Sequence, residues 1–167
     1  MPRLDAKSVL SSAWKSGWLV HSVRTALGMT ASLGVARMVG LPEAFWAPIT
    51  TVIVMESAVG PAWVVSKRRF LGTAMGAAFA ASLRTYLGPG VIAFGAAILA
   101  LGLICFILRL HRASHRFACI ALSIVILVPR GTAAWIVAFH RFVEVSLGIA
   151  VALVFAALWP VQEPQSL

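Results

Sequence analysis

The sequence predicts an all-α integral membrane protein whose six transmembrane helices form two inverted repeats of three helices each. Three observations support this fold class: the composition, the lengths of the apolar runs and an internal repeat. Hydrophobic residues make up 60% of the 167 residues, whereas a soluble domain has about half. This composition predicts a chain that lies largely within a lipid bilayer.

The first element is a polar segment at residues 1–16. Leu10, Trp14 and Trp18 recur there at intervals of four residues, which predicts a short interfacial helix on the cytoplasmic side of the membrane. The membrane domain follows over residues 17–160. Residues 161–167 are predicted to be a cytoplasmic tail.

The membrane domain contains apolar runs long enough to cross the hydrocarbon core as helices. The transmembrane spans are predicted at residues 17–39, 44–65, 70–87, 91–108, 117–139 and 142–159. Pro89 and Gly90 separate the first repeat, 17–88, from the second, 89–160.

The repeat has a period of 72 residues. Aligning Phe45 with Phe117 places Trp63 opposite Trp135 without a gap. With three spans in each repeat, the second copy runs through the membrane in the opposite direction to the first. The alternative is a chance match, because apolar spans resemble one another easily.

Helix breakers interrupt the apolar run at nearly the same place in both copies. They are Gly60-Pro61 in the first copy and Pro129-Arg130-Gly131 in the second. Broken helices free backbone groups inside the membrane, and matched breaks point to a transporter's binding site. We therefore interpret Gly60, Pro61, Pro129 and Gly131 as hinge or broken-helix positions.

The distribution of cations predicts the orientation, with both termini in the cytoplasm. With the N-terminus inside, the outer ends of the spans carry only Arg37, Arg84 and Arg141. The inner ends carry Arg3, Lys7, Lys15, Lys67, Arg68, Arg69, Arg109, Arg112 and Arg116.

Two charged residues inside the spans are candidates for anion binding. Arg130 lies beside opened backbone and is expected to attract a carboxylate, while Glu56 is its resting partner or a proton carrier. The alternative is a permanent Glu56–Arg130 ion pair that only fixes helix packing.

The first span carries a second candidate surface. Arg24 shares one helical face with His21, Gly28 and Ser32, and we expect this face to line a cavity and contribute Arg24 and His21 to anion binding. Alternatively, Arg24 extends to the cytoplasmic surface.

Several other residues have a structural interpretation. Gly72, Gly76 and Gly148 are predicted helix-packing positions, because small residues let helices approach closely. Arg141 and Glu144 are one turn apart and are expected to pair. Arg84 is interpreted as an interfacial anchor rather than a gate.

The sequence predicts no cofactor and no metal site. Cys105 and Cys119 lie in apolar runs without metal-ligand spacing, and His111 and His115 lie among arginines that oppose metal binding. Basic residues do not form a stripe with exposed aromatics, so no nucleic-acid partner is expected. Paired acids and a nucleophile–base set are missing, so an enzyme is not predicted.

Residues from Phe45 onward resemble the fusaric acid resistance and aromatic acid exporter family and the related plant aluminium-activated malate transporters. In these families a Trp-Ala pair opens the second span, Arg-x-x-Gly-Thr opens the third, and the last begins Arg-x-x-Glu and closes at Pro. The matching residues here are Trp46-Ala47, Arg69, Gly72, Thr73, Arg141, Glu144 and Pro160.

The resemblance implies a transporter in the bacterial inner membrane that exports organic, in particular aromatic, carboxylate anions. A passive anion channel and a non-transporting scaffold subunit are the alternatives. Full exporters of this kind carry two such membrane domains, so the resemblance further implies that this chain assembles as a homodimer in the lipid bilayer.

Overall fold

The computed structural model describes residues 18–55, 59–86, 90–128 and 131–159. Within these ranges every regular element is an α-helix, which confirms the all-α prediction. The helices are α1 (Trp18–Met38), α2 (Trp46–Met55), α3 (Val59–Tyr86), α4 (Val91–Ile107), α5 (Arg112–Leu127) and α6 (Ala134–Leu158).

A glycine turn ends α1 and directs the chain toward α2. Gly40 has a φ of +74°, a conformation that costs glycine little because it lacks a Cβ. The Gly40 N–H donates to the Arg37 carbonyl, and the Leu41 N–H donates to the Ala36 carbonyl. These two bonds satisfy carbonyl groups that the helix end would otherwise leave unpaired.

The boundary between the second and third helices differs from the prediction. The sequence predicts spans at 44–65 and 70–87, but α2 has 10 residues and α3 has 28. Lys67, Arg68 and Arg69 therefore lie within α3 and do not form an inner loop. Lysine and arginine are good helix formers, so a basic cluster alone does not end a helix.

The second repeat departs from the prediction in the same way. α5 ends at Leu127 and α6 begins at Ala134, whereas the sequence predicts spans at 117–139 and 142–159. α5 also begins earlier than predicted, where the His111 Nδ1 accepts a hydrogen bond from the Ala113 N–H at 3.2 Å. Each repeat thus contains a shorter middle helix followed by a longer third helix.

The most extensive helix contacts join helices of the first half of the chain to helices of the second half. α3 packs most extensively on α5, α6 packs on both α3 and α2, and α1 packs on α2 as α4 packs on α5. The two third helices, α3 and α6, also pack on each other. At their crossing Phe70 meets Phe142, with ring centroids 4.9 Å apart. These two phenylalanines are 72 residues apart.

The contacts also define the relative directions of the helices. Gly72 lies against Ser114 and Gly76 against Ala118, so α3 and α5 run parallel. α3 and α6 run antiparallel, because Ser66 and Ile149 line one cleft beside the Phe70–Phe142 contact.

Three glycines allow these close contacts. A Cβ at Gly72 would overlap the Ser114 carbonyl, one at Gly76 would overlap the Ala118 backbone, and one at Gly148 would overlap the Ala47 carbonyl. The backbones of α3 and α5, and of α6 and α2, therefore touch at these points.

Arg84 has a role that its sequence position does not reveal. Its Nη1 donates to the carbonyl oxygens of Val125 at 2.7 Å and Val128 at 3.4 Å. These groups lie at the end of α5, where helical partners are missing. Arg84 therefore caps α5.

One helix of the described ranges, α6, is long and apolar enough to cross a membrane by length and composition. α2 and α4 are apolar but shorter, with 10 and 17 residues. α3 is the longest helix, but it carries the three basic residues at 67–69 in its interior.

Candidate functional site

A cluster of buried charges lies beside the crossing of α3 and α6. Arg69 of α3 is 3% exposed, and Arg141 and Glu144 of α6 are 2% and 1% exposed. Charged side chains are rarely buried this deeply in a protein unless they are paired or functional. The three side chains therefore form the candidate site.

Arg141 is held by an acid and an aromatic ring. Its Nη1 lies 3.4 Å from a Glu144 carboxylate oxygen, and its guanidinium lies 3.5 Å from the ring centroid of Trp46. The other Glu144 oxygen accepts a hydrogen bond of 3.2 Å from the Glu43 N–H. Glu144 thus joins α6 to the connection between α1 and α2.

Arg69 has a similar setting but no acidic partner among the described residues. Its guanidinium lies 4.9 Å from the ring centroid of Phe117, and its Nη2 donates to the Thr50 Oγ1 at 3.0 Å. In the part of the chain that the structure describes, the Arg69 Nε and Nη1 have no hydrogen-bond partner. This buried guanidinium therefore has two donors that no described residue satisfies.

The two arginines occupy equivalent places in the predicted repeat. Arg69 and Arg141 are 72 residues apart, and so are Gly72 and Glu144. The second repeat has an acid one turn after its arginine, and the first has a glycine there. This difference accounts for the acid that Arg141 has one turn away and that Arg69 lacks at the corresponding position.

A cavity of about 400 Å³ lies beside Glu43, whose backbone N–H binds the cluster residue Glu144. Its lining includes Glu43, Gly131, Thr132 and His140. Glu43 belongs to both the cavity wall and the cluster, because its backbone N–H binds Glu144. Gly131, one of the predicted broken-helix positions, thus lines the same cavity as Glu43.

Three residues predicted to form the site, Glu56, Pro129 and Arg130, lie outside the described residues. The proposed contact between Glu56 and Arg130 therefore stays a prediction. The backbones of Gly60 and Pro61 lie in the first turn of α3, so they begin a helix instead of interrupting one. Proline is tolerated near a helix start, where its missing N–H has no intrahelical role.

The predicted face of α1 is largely buried, and part of it packs against α2. Arg24, Gly28 and Ser32 are buried, and Gly28 lies against the Met55 side chain. The Arg24 Nε and Nη2 lack a hydrogen-bond partner within residues 18–55, 59–86, 90–128 and 131–159. His21 is only half-buried at the beginning of this face.

Sequence reasoning missed Arg69 as a site residue because it assigned the residue to a loop. The available signal was the repeat itself, since Arg69 aligns with Arg141. The expected pairing of Arg141 with Glu144 is confirmed.

The comparisons with known proteins agree with an all-helical membrane protein. The family described as "fusaric acid resistance protein-like" matches residues 12–155, which include all of the cluster. No curated protein and no solved structure matches the chain. The chain therefore belongs to the fusaric acid resistance protein-like family, whose members are membrane transporters of the resistance type.

Proposed function

We propose that the protein exports organic, in particular aromatic, carboxylate anions across the bacterial inner membrane, and that Arg69 binds the carboxylate. The observation that carries this proposal is the buried guanidinium with two donors that no described residue satisfies. A guanidinium presents its N–H groups as a planar fork that matches the two oxygens of a carboxylate. An anion at Arg69 would compensate a charge that is otherwise costly to bury.

The neighbouring arginine supports the choice of Arg69. Glu144 already neutralises Arg141, so a second carboxylate there would have to displace a buried ion pair. Thr50 donates to the Trp46 carbonyl and accepts from Arg69, both at 3.0 Å. These bonds orient the Arg69 fork before an anion arrives, which lowers the ordering cost of binding.

The cavity beside Glu43 is the proposed aqueous approach to the cluster. It is lined by Thr132 and His140 as well as by apolar side chains. Arg130 directly precedes Gly131, which also lines this cavity. We retain Arg130 as a proposed first contact for the anion and Glu56 as its proposed partner.

We also propose that the six helices cross the membrane as two inverted repeats, with both termini cytoplasmic. The paired helix contacts and the antiparallel crossing of α3 and α6 support this arrangement. Lys67, Arg68 and Arg69 lie within α3, so the proposed orientation is supported by the remaining cations at the inner ends of the spans. Labelling Gly90→Cys and Arg109→Cys from the two sides of sealed vesicles tests it, because the two positions should react from opposite sides.

A flux assay with the purified protein in liposomes tests the function. Arg69→Gln should abolish carboxylate flux while leaving membrane insertion intact, because an amide cannot provide the charged fork. Arg68→Gln is the matched control, since the Arg68 side chain is adjacent in sequence and only half-buried. Undiminished flux in Arg69→Gln would contradict the assignment. Dependence of flux on a pH gradient would separate a proton-coupled carrier from a passive channel.

We propose a homodimer as the working assembly, as the resemblance to exporters with two membrane domains implies. Mass measurement of the purified protein in detergent tests this assembly. A monomer that retains full flux would contradict it.

A further inference from the structure

Two clefts lie on either side of the α3–α6 crossing at equivalent positions of the repeat. The Lys67 cleft, of about 460 Å³, is lined by Trp63, Ser66, Lys67, Phe70, Leu71 and Ile149. The Phe139 cleft, of about 300 Å³, is lined in part by Trp135, Ala138, Phe139 and Phe142. Each of these four residues lies 72 positions after its counterpart in the Lys67 cleft, in the order Trp63, Ser66, Lys67 and Phe70. The partner tryptophans are 54% and 53% exposed.

The clefts differ in chemistry at two positions. The Lys67 Nζ lies 5.2 Å from the Trp63 ring centroid, and Phe139 replaces this lysine in the other cleft. Ser66 is 2% exposed, and its Oγ has no hydrogen-bond partner within the described ranges. Alanine replaces this serine in the Phe139 cleft. The Lys67 cleft therefore combines an apolar wall with a cation and an unsatisfied hydroxyl.

From this difference we infer that the Lys67 cleft binds an amphipathic carboxylate that reaches the protein from the bilayer. The apolar body packs on Trp63, Phe70 and Leu71, which are exposed on the surface of α3. The carboxylate lies at the Lys67 ammonium, which a neutral molecule of the same shape would not engage. The unsatisfied Ser66 hydroxyl offers the ligand a further hydrogen bond.

The position of Ser66 links this cleft to the candidate anion site. Ser66 and Arg69 are three residues apart on α3, so they lie on the same helical face. Both are buried, at 2% and 3% exposure. The inference rests on the proposed function in one respect, namely that the bound acid moves from the cleft to Arg69.

Tryptophan fluorescence of the purified full-length protein in detergent tests the binding step. The probes are a fatty acid carrying bromine on its chain and the methyl ester of the same acid, because bromine quenches tryptophan at contact. Comparison with Trp63→Phe and Trp135→Phe isolates the signal of each cleft. The acid should quench the Trp63 signal at a concentration about three- to fivefold lower than the ester does, as expected for one partly exposed charge pair. The Trp135 signal should respond equally to both.

Two variants and one lipid complete the test. Lys67→Gln should remove the preference for the acid, and Lys67→Arg should keep it. Equal quenching of Trp63 by acid and ester in the native protein would overturn the inference. So would quenching by a brominated anionic phospholipid that the free acid cannot displace, because the occupant would then be a membrane lipid.

The outcome is separate from that of the proposed function. Arg69→Gln should leave quenching of Trp63 unchanged, since Arg69 does not line the cleft. Loss of flux with intact quenching would therefore support both proposals. Flux that survives in Arg69→Gln would reject the anion site but leave the cleft assignment standing.

Discussion

The two arginines at the helix crossing share a geometry and differ in charge balance. Each lies in a long third helix, and each guanidinium faces an aromatic ring, Phe117 for Arg69 and Trp46 for Arg141. Arg141 has an acid one turn away at Glu144, whereas Arg69 has Gly72 at that position. Arg141 is thus part of an ion pair and leaves only its Nε without a partner among the described residues, whereas Arg69 leaves its Nε and Nη1.

This difference indicates how a repeated scaffold can contain one specialised site. The close packing of α3 on α5 needs a residue without a side chain at Gly72, where the Ser114 carbonyl approaches. Because this position is a glycine, it does not provide the acid that Glu144 provides for Arg141. A packing requirement and a charge without an acidic partner among the described residues therefore both trace to one position, Gly72.

Breaking the ion pair should produce the largest effect on stability. Glu144→Gln leaves Arg141 buried without its acid, which typically costs about 3–5 kcal/mol of unfolding free energy. Arg69→Gln should cost much less, because it removes a charge that lacks an acidic partner among the described residues. Unfolding of each variant in detergent, followed by tryptophan fluorescence, measures the difference.

The double variant Arg141→Gln/Glu144→Gln is the control for this comparison. It should be more stable than Glu144→Gln alone, since neither charge is then left unpaired. If Arg69→Gln were as destabilising as Glu144→Gln, Arg69 would have an acidic partner after all, and the contrast between the two arginines would fail.

Much of the fold follows from composition and periodicity, but the helix boundaries do not. The all-α character of the described residues and the pairing of Arg141 with Glu144 agree with the sequence. Lys67, Arg68 and Arg69 suggest a loop because charges usually lie at the ends of membrane spans. The structure keeps them in a helix, where Thr50 and Phe117 from other helices stabilise Arg69. Such tertiary contacts are not visible in a local pattern.

The candidate site was only partly predictable for the same reason. Interior charges can be identified in a sequence, and Arg24 is indeed buried. Which charges meet depends on how the long helices cross, and this is set by the Phe70–Phe142 contact and the glycines beside it. The cavity at Gly131 likewise joins residues that are far apart in the chain, such as Glu43 and His140.

The packing glycines allow a finer test of the repeat. Gly76 and Gly148 are equivalent positions, and each faces the backbone of a neighbouring helix. Replacing either one with alanine should cost about 1–3 kcal/mol of unfolding free energy, because backbone has little room to move. Gly95→Ala in α4 is the matched control, since no atom lies within 4 Å of the added Cβ. If only one of the two substitutions is destabilising, the two halves do not pack equivalently.

The smallest effect should come from a substitution of Thr50, which accepts a hydrogen bond from Arg69. Thr50→Val keeps the shape but removes the acceptor of the Arg69 Nη2, at a cost of about 1 kcal/mol. Thr50→Ser should restore the bond. If the bond orients Arg69 for an anion, Thr50→Val should also weaken the apparent affinity for the transported carboxylate by about fivefold, which corresponds to the same free energy. Concentration-dependent flux in liposomes measures this change, and an unaltered affinity would mean that Thr50 stabilises the fold without positioning the guanidinium.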